Sequence, residues 1–252
     1  MDDLERTELY RKRWYRARKP LHMVDTDCKD FGSGRVHPAA EEMRARLLIL
    51  PADPEEHLIE FDDEFRAWWE TDPIDPHTNQ PSMFGRESSS LSGAAYRYRG
   101  RGDKEWQRYI ALTHGAALEM CLSWDAVYQT PRQEGGGVDV FCLLTIVGRT
   151  AAALAHYGEV IRRFHPEGPW EISLALRSTR GSLLGDLATG WANMPSPRYL
   201  ARKSVEPNVL MRREISAWPD DDGVRELAYR FGDQMENSWD FAFHRYLAHD
   251  GE

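Results

Sequence analysis

Two alternating segments joined by a short turn limit the fold of this chain more than any other feature. In residues 106–112, WQRYIAL, and again in residues 118–124, LEMCLSW, successive side chains divide between two faces with the period of a β-strand. In the second segment leucine, methionine and tryptophan share one face, and Glu119 lies on the other. His114-Gly115 fits a tight turn, so the sequence predicts an antiparallel hairpin.

Further strands and helices are predicted on both sides of this hairpin. AAYRYR at 94–99 is expected to add a third strand, and WEISLALR at 170–177 alternates as one more. Helices are predicted where apolar residues recur every three to four positions or where a proline ends a segment. They cover residues 2–19, 39–50, 55–70, 141–163 and 224–247. The expected fold class is α+β: an antiparallel sheet with long helices packed on it, plus a charged N-terminal helix.

The composition and the positions of proline-rich and serine-rich segments predict the domain organisation. Hydrophobic residues make up 41% of the 252 residues, with nine Trp, ten Tyr and nine Phe, which can fill a sizeable core. We expect residues 1–30 to form a basic N-terminal helix and linker, and residues 31–252 to form a single α+β domain. Segment 71–92 is rich in proline and serine, so it is predicted to be a loop or hinge.

Charge, hydropathy and cysteine content predict the cellular compartment. The formal net charge of −9 disfavours indiscriminate binding to DNA or anionic lipid, which requires a basic face. The most apolar window, 138–157, is interrupted by charged residues and glycine, so no membrane span is predicted. The first residues are charged and lack the apolar core of a signal peptide. The odd number of cysteines, at Cys28, Cys121 and Cys142, fits buried thiols in a cytoplasmic protein.

The segment GPWEISLALRSTRGSLLGDLATGW, residues 168–191, contains the candidate anion site. A phosphate-binding loop needs backbone N–H groups aimed at the anion, usually with a lysine, and this segment has no such lysine motif. We therefore interpret Gly181 as a turn after the strand, followed by a short helix around residues 183–187. If a pocket exists, Arg177, Arg180 and Gly181 are the best anion-binding candidates.

Motifs for catalysis or metal binding are absent from the sequence. None of the nine histidines belongs to a metal-ligand motif, and no nucleophile signature surrounds a serine or cysteine. His156 could face a pocket, although a packed histidine is the simpler interpretation. Glu119 and Glu171 could form a carboxylate pair, but strand glutamates opposite a core are ordinary. The sequence therefore predicts no catalytic residue, no metal and no cofactor.

A basic and aromatic segment near the N-terminus, ELYRKRWYRARK, is the most specific physical signal. Its candidate partner-binding residues are Arg11, Lys12, Arg13, Trp14, Arg16, Arg18 and Lys19. A second such segment, YRYRGRGDKEWQRY, contains Arg97, Arg99, Arg101, Lys104 and Arg108. These charges could pair with the acidic run at 53–75, contact an acidic protein partner, or bind nucleic acid.

Four segments, in this order, resemble a known protein region. They are RYIALTHGAALEM at 108–120, the long helix after Phe141, PWEISLALRSTRGSLLGDLATGW at 169–191 and the helix at 224–231. Together they resemble the variable region that follows the Schlafen/AlbA-like ATP-binding module in actinobacterial regulator proteins. The module itself has no counterpart here, so none of its nuclease or ATP-binding residues is carried over. The resemblance implies an accessory or sensor domain that works with a separately encoded effector.

These observations favour a non-enzymatic regulatory, interaction or sensor module of a bacterial cytoplasm, with a protein partner or a homo-oligomer. One alternative is an enzyme acting on a phosphorylated small molecule or nucleotide through Arg177, Arg180 and His156 or Glu171. Such an enzyme requires these side chains to converge in one cleft. The other alternative is a nucleic-acid-binding protein that uses the two basic and aromatic segments.

Overall fold

The computed structural model describes most of the chain after residue 43. The described residues are 44–71, 74–75, 80–81, 87–91, 94–101, 105–123, 126–129, 137–185 and 203–239. The predicted basic helix at 2–19, with its candidate partner-binding residues from Arg11 to Lys19, lies outside these ranges.

Strands and helices alternate irregularly along the described part. The strands are β1 Ala45–Leu50, β2 Ile74–Asp75, β3 Gln80–Pro81, β4 Glu87–Leu91, β5 Ala94–Arg101, β6 Glu105–Thr113, β7 Leu118–Leu122, β8 Val127–Gln129, β9 Asp139–Cys142, β10 Trp170–Arg177, β11 Leu183–Gly185 and β12 Asn208–Ile215. The helices are α1 Asp63–Trp69, α2 Leu143–Phe164 and α3 Asp221–Ser238. None of the described helices is both long and apolar enough to cross a bilayer.

A seven-stranded antiparallel sheet organises the molecule. Its strand order is β12-β10-β1-β7-β6-β5-β4, and every neighbouring pair runs antiparallel. A smaller sheet has the order β11-β9-β8, and β2 pairs with β3. The α+β class is therefore confirmed, as are the predicted hairpin of β6 and β7 and the third strand β5.

The two long helices cover one face of the large sheet. Helix α2 contacts β7, α3 contacts β12, and the two helices contact each other. The register aligns Ile110, Met120, Leu47, Leu174 and Met211 across five strands on this helix-facing side. All five are buried in one apolar core with the inner faces of α2 and α3. This packing confirms the helices predicted at 141–163 and 224–247 as amphipathic elements. The second helix ends at Ser238, and residues 240–247 of that prediction lie outside the described ranges.

Strand β1 occupies residues 45–50 of the segment 39–50, which the sequence analysis predicted to be a helix, and residues 39–43 lie outside the described ranges. All six of its residues are buried, and it pairs with β7 on one side and β10 on the other. On the face away from the helices, Leu48 and Leu50 pack with Ala117 in a second buried cluster. A strand buried on both faces is a continuous apolar run, which short-range periodicity cannot distinguish from a buried helix.

Helix α1 is confirmed but is much shorter than the predicted 55–70. The Asp62 side chain accepts a hydrogen bond from the N–H of Phe65 at 2.7 Å and caps the helix there. The residues before it form turns and extended chain, although Leu58 and Phe61 still pack against the core as their spacing suggested. A side-chain cap inside the amphipathic run therefore decides where this helix begins.

The loop prediction for 71–92 and the helix prediction around 183–187 are wrong in part, and one strand was not predicted. Residues 74–75, 80–81 and 87–91 form the strands β2, β3 and β4, and β4 is the end strand of the described sheet. A hinge in this segment stays a prediction. The short helix expected around residues 183–187 begins instead as strand β11, which pairs in parallel with β9. Strand β12 had no sequence prediction, since its apolar and charged residues do not alternate clearly.

Candidate functional site

The loop at residues 178–182, which contains the predicted anion-binding glycine, is a turn that closes against residues 203–208. Gly181 has a φ of +77°, which a glycine adopts without strain. Its N–H donates to the Ser204 carbonyl with an N···O distance of 2.8 Å. Four of the five backbone N–H groups of the loop donate to protein acceptors: those of Ser178, Thr179, Gly181 and Ser182. A phosphate loop needs these donors for its ligand, so the geometry supports the turn interpretation.

Arg177 comes directly before this turn and Arg180 is its middle residue, and both are exposed. The Nε of Arg180 donates to the Val205 carbonyl at 3.2 Å. His156 lies in the C-terminal half of α2. Glu171 is on β10, which β1 separates from β7, and its side chain is on the sheet face opposite the helices. The structure therefore does not bring together the four side chains that the enzyme hypothesis requires in one cleft.

His156 is packed between aromatic rings. Its ring stacks on Trp68 with centroids 5.3 Å apart and lies 5.2 Å from the ring of Trp69. Burial, followed by the nearby charge of Arg97, lowers the pKa of His156 to about 3. The imidazole is therefore neutral at physiological pH, and its buried Nε2 atom has no hydrogen-bond partner among the described residues. This is the packed histidine that the sequence analysis preferred.

The second basic and aromatic segment does not present all its charges to a ligand. Arg97 and Arg108 are 2% and 5% exposed, and both point to the helix-facing side of the sheet. An Arg97 Nη1 group donates to the Thr71 carbonyl at the end of the acidic segment. Two of the five cations that could contact nucleic acid are thus inside the protein. The contact of Arg97 is with a backbone carbonyl, so the pairing of these cations with the acidic side chains of 53–75 stays a prediction.

Glu119 is the centre of a buried polar cluster on the face opposite the helices. Its carboxylate accepts hydrogen bonds from Tyr109 Oη, from Arg46 Nη2 at 3.2 Å and from Cys121 Sγ at 3.2 Å. Glu119 is fully buried, and none of the other three is more than 8% exposed. Glu119 and Glu171 share this face, but β1 separates their strands, so they form no carboxylate pair.

Burial favours the protonated thiol and the protonated phenol in this cluster. Burial raises the pKa of Cys121 well above the ordinary thiol value, and the charge of Glu119 adds to this shift. Burial likewise raises the pKa of Tyr109, with the thiol and the carboxylate as further causes. For Arg46, burial lowers the pKa, but the neighbouring Glu119 carboxylate and its hydrogen bond help to raise it by more. Tyr109 and Cys121 therefore remain hydrogen-bond donors to Glu119.

The open edge of β12 is the feature that sequence reasoning missed. Among the strands that the structure describes, β12 pairs on one side only, with β10, over all eight of its residues. Leu210 on this strand is 54% exposed and Val205 just before it is 75% exposed, and they are two of the three large hydrophobic side chains that are exposed among the described residues. The signal was present in the sequence as NVLMRREI, a short apolar run followed by charges, which is weak evidence for a strand.

Polar atoms near the same edge have no hydrogen-bond partner among the described residues. They are the Oε1 atom of Glu171 on β10, which is only 7% exposed, and the buried Nε of Arg212. The register places Glu214 directly opposite Glu171, so two carboxylates face each other on neighbouring strands. Within the described part of the chain, the edge therefore combines a strand with no outer neighbour, an exposed leucine and two facing carboxylates.

Metal ligation finds no support in the part of the chain that the structure describes, where no three His, Cys, Asp or Glu side chains are grouped to hold an ion. Comparison with protein-family models, with curated proteins and with solved structures finds no match to this chain. The resemblance to the region after a Schlafen/AlbA-like module stays a prediction.

Proposed function

We propose that this chain is a non-enzymatic interaction module of the cytoplasm that binds an extended protein segment along the open edge of β12. The observation that supports this most directly is the exposure of Leu210 on a strand whose outer side has no described partner. The buried free thiols of Cys121 and Cys142 are consistent with a reducing compartment.

The physical reason lies in the backbone of an edge strand. Its outward N–H and C=O groups are a template for another strand, and natural proteins normally block such edges with charge, proline or a bulge. Strand β12 has its charges at one end, Arg212 to Glu214, while its first half exposes a leucine. A bound strand would complete the backbone hydrogen bonds and cover that apolar side chain, the mode known as β-augmentation.

In this proposal Arg177 and Arg180, the predicted anion-binding residues, contact acidic side chains of a bound protein segment and not a phosphate. Arg177 pairs in register with Asn208 at the start of β12, and Arg180 contacts the Val205 carbonyl. Both cations are therefore at the end of the open edge, where they would contact acidic side chains of the bound segment. The loop N–H groups need not take part, since they already donate to protein acceptors.

A selection from a random dodecapeptide library on the purified protein tests the proposal. We expect enrichment of peptides that alternate apolar and polar residues, and we expect the variant Leu210→Lys to lose them. The matched control is Leu144→Lys on α2, because Leu144 is 40% exposed but lies away from the edge. Enrichment that is equal on all three proteins, or no enrichment, would contradict the proposal.

A further inference from the structure

The side of the large sheet that faces away from the long helices is buried. On this side, which we call the far face, the register aligns residues of β6, β7, β1 and β10. None of the following far-face residues is more than 8% exposed: Tyr109, Ala111, Glu119, Cys121, Arg46, Leu48, Leu50, Glu171 and Ser173. An antiparallel sheet with helices on one side commonly has its other side in water, so some part of the molecule must cover these strands.

The described helices do not form this cover. The buried apolar side chains of α1, α2 and α3 all belong to the core on the opposite side of the sheet. The chain before α1 and the smaller sheet contribute to the same core through Ile59, Phe141 and Leu184. The burial of the far face arises within one chain. The cover therefore comes from residues of this chain that lie outside the described ranges.

One row of directly opposed residues shows how far the cover extends. From β6 to β12 the row consists of Ala111, Glu119, Leu48, Ser173 and Arg212. The first three are at most 1% exposed and Ser173 is 5% exposed, whereas Arg212 is half-buried. Strands lie about 4.8 Å apart, so the four covered strands span about 15 Å. A single helix, about 10 Å in diameter, is too narrow to cover them.

Attachment and length identify the covering segment. Residues 1–43 lead directly into β1, where the Arg44 N–H donates to the Leu122 carbonyl with an N···O distance of 3.0 Å. Strand β1 lies in the middle of the covered strands, so the segment ends at the area to be covered. Two helices about 17 Å long, which is the length of five strand residues, need roughly 24 residues, and the segment has 43. We infer that residues 1–43 dock on the far face and cover β6, β7, β1 and β10.

The other long segments outside the described ranges fit this position less well. Segments 186–202 and 240–252 are each less than half as long as 1–43. Segment 186–202 is also held at both ends beside the turn at 178–182, because Gly185 ends β11 and the Ser204 N–H donates to the Ser182 carbonyl. The N-terminal segment has apolar and aromatic residues to bury: Leu4, Leu9, Tyr10, Trp14, Tyr15, Leu21, Met23, Val24, Phe31 and Val36.

The inference assigns the basic run from Arg11 to Lys19 to the folded domain. It does not rest on the proposed function, since the covered strands end at β10 and Leu210 on β12 remains 54% exposed.

Photo-cross-linking in the full chain tests the inference. The photoreactive residue p-benzoylphenylalanine replaces one aromatic residue at a time: Trp14 or Phe31 within 1–43, and Trp191 or Phe243 as matched controls in the two shorter segments. After irradiation of dilute protein, mass spectrometry of the monomer identifies the peptides that are joined. We expect the Trp14 and Phe31 variants to form cross-links to β6, β7, β1 or β10, and we expect the control variants to form far fewer of them.

The yield of far-face cross-links within the monomer decides the inference, with circular dichroism showing that each variant is folded. No such cross-link from the Trp14 and Phe31 variants would overturn it. Equal or higher yields from the Trp191 or Phe243 variant would also overturn it, because a different segment would then cover the face. Cross-links that join two chains and none within one chain would assign the cover to a second copy and contradict docking within the chain.

Discussion

The guanidinium of Arg46 lies 3.2 Å from the carboxylate of Glu119, with both side chains inside the protein. The two residues are diagonal neighbours, because Glu119 is directly opposite Leu48 on the adjacent strand. A diagonal separation of about 7 Å between backbones suits a long arginine side chain reaching a glutamate. The stability of the sheet therefore depends on this pair as a unit.

Removing one member of the pair should cost far more than removing both. We expect Glu119→Leu to lower the free energy of unfolding by about 3–5 kcal/mol, since it leaves a buried guanidinium uncompensated. The double variant Arg46→Met with Glu119→Leu should recover a large part of that loss. Urea unfolding of the two single variants and the double variant measures the coupling, and strictly additive losses would refute it.

His156 should make stability depend on pH. Its folded pKa of about 3 lies below the unfolded value of about 6.5, so its contribution is complete above pH 6.5 and is lost as pH falls towards 3. The loss is about 1.4 kcal/mol per pH unit, or roughly 2 kcal/mol at pH 5. His156→Phe keeps a ring between the tryptophans and removes the titration.

The comparison is made by urea unfolding at pH 7 and pH 5. Wild type should lose about 2 kcal/mol more than His156→Phe between these values. Equal losses in the two proteins would show that the imidazole is accessible to protons in the folded state.

The thiol of Cys121 should be unreactive in the folded protein. It is 2% exposed and its pKa is raised, so both access and thiolate formation are suppressed. If modification requires global opening, its rate should be at least about 1000-fold lower than in the unfolded chain. Alkylation at pH 8 followed by mass spectrometry of the Cys121 peptide measures this rate. Rapid modification without urea would contradict the buried arrangement.

Two glycines should respond differently to the same substitution. A Cβ atom at Gly115 would lie 2.0 Å from the Pro54 carbonyl oxygen, whereas at Gly181 it would meet no atom within 4 Å. Gly181→Ala should cost only the strain of a positive φ, about 1–2 kcal/mol. Gly115→Ala must displace backbone and should cost more, about 3 kcal/mol. Thermal unfolding ranks the two variants, and the reverse order would contradict the close approach at Gly115.

The spacing of apolar residues along the chain was sufficient to predict some strands and helices but not others. The hairpin of β6 and β7 was predicted because each strand has two distinguishable faces, and α2 because its apolar spacing continues for six turns. Strand β1 was predicted wrongly as a helix because both its faces are buried, which removes the alternation. The start of α1 was misplaced because the cap formed by Asp62 depends on one side chain.

The buried Glu119 cluster and the open edge of β12 depend on strand order, which one sequence does not reveal. Alternation placed Glu119 on the face opposite the apolar one, but its partner Arg46 comes from a strand 73 residues earlier. Likewise the open edge at Leu210 exists because β12 is last in the order of described strands. Neither relationship follows from spacing along the chain, since both are set by which strands become neighbours.

The position of β1 in the middle of the large sheet has a consequence for how the protein is made. Residues 45–50 leave the ribosome well before β10, one of their two partner strands, which ends at residue 177. Until then, one side of a mostly apolar strand has nothing to pair with, and contacts so distant in sequence form slowly. Newly synthesised chains should therefore need chaperone protection until β10 has emerged.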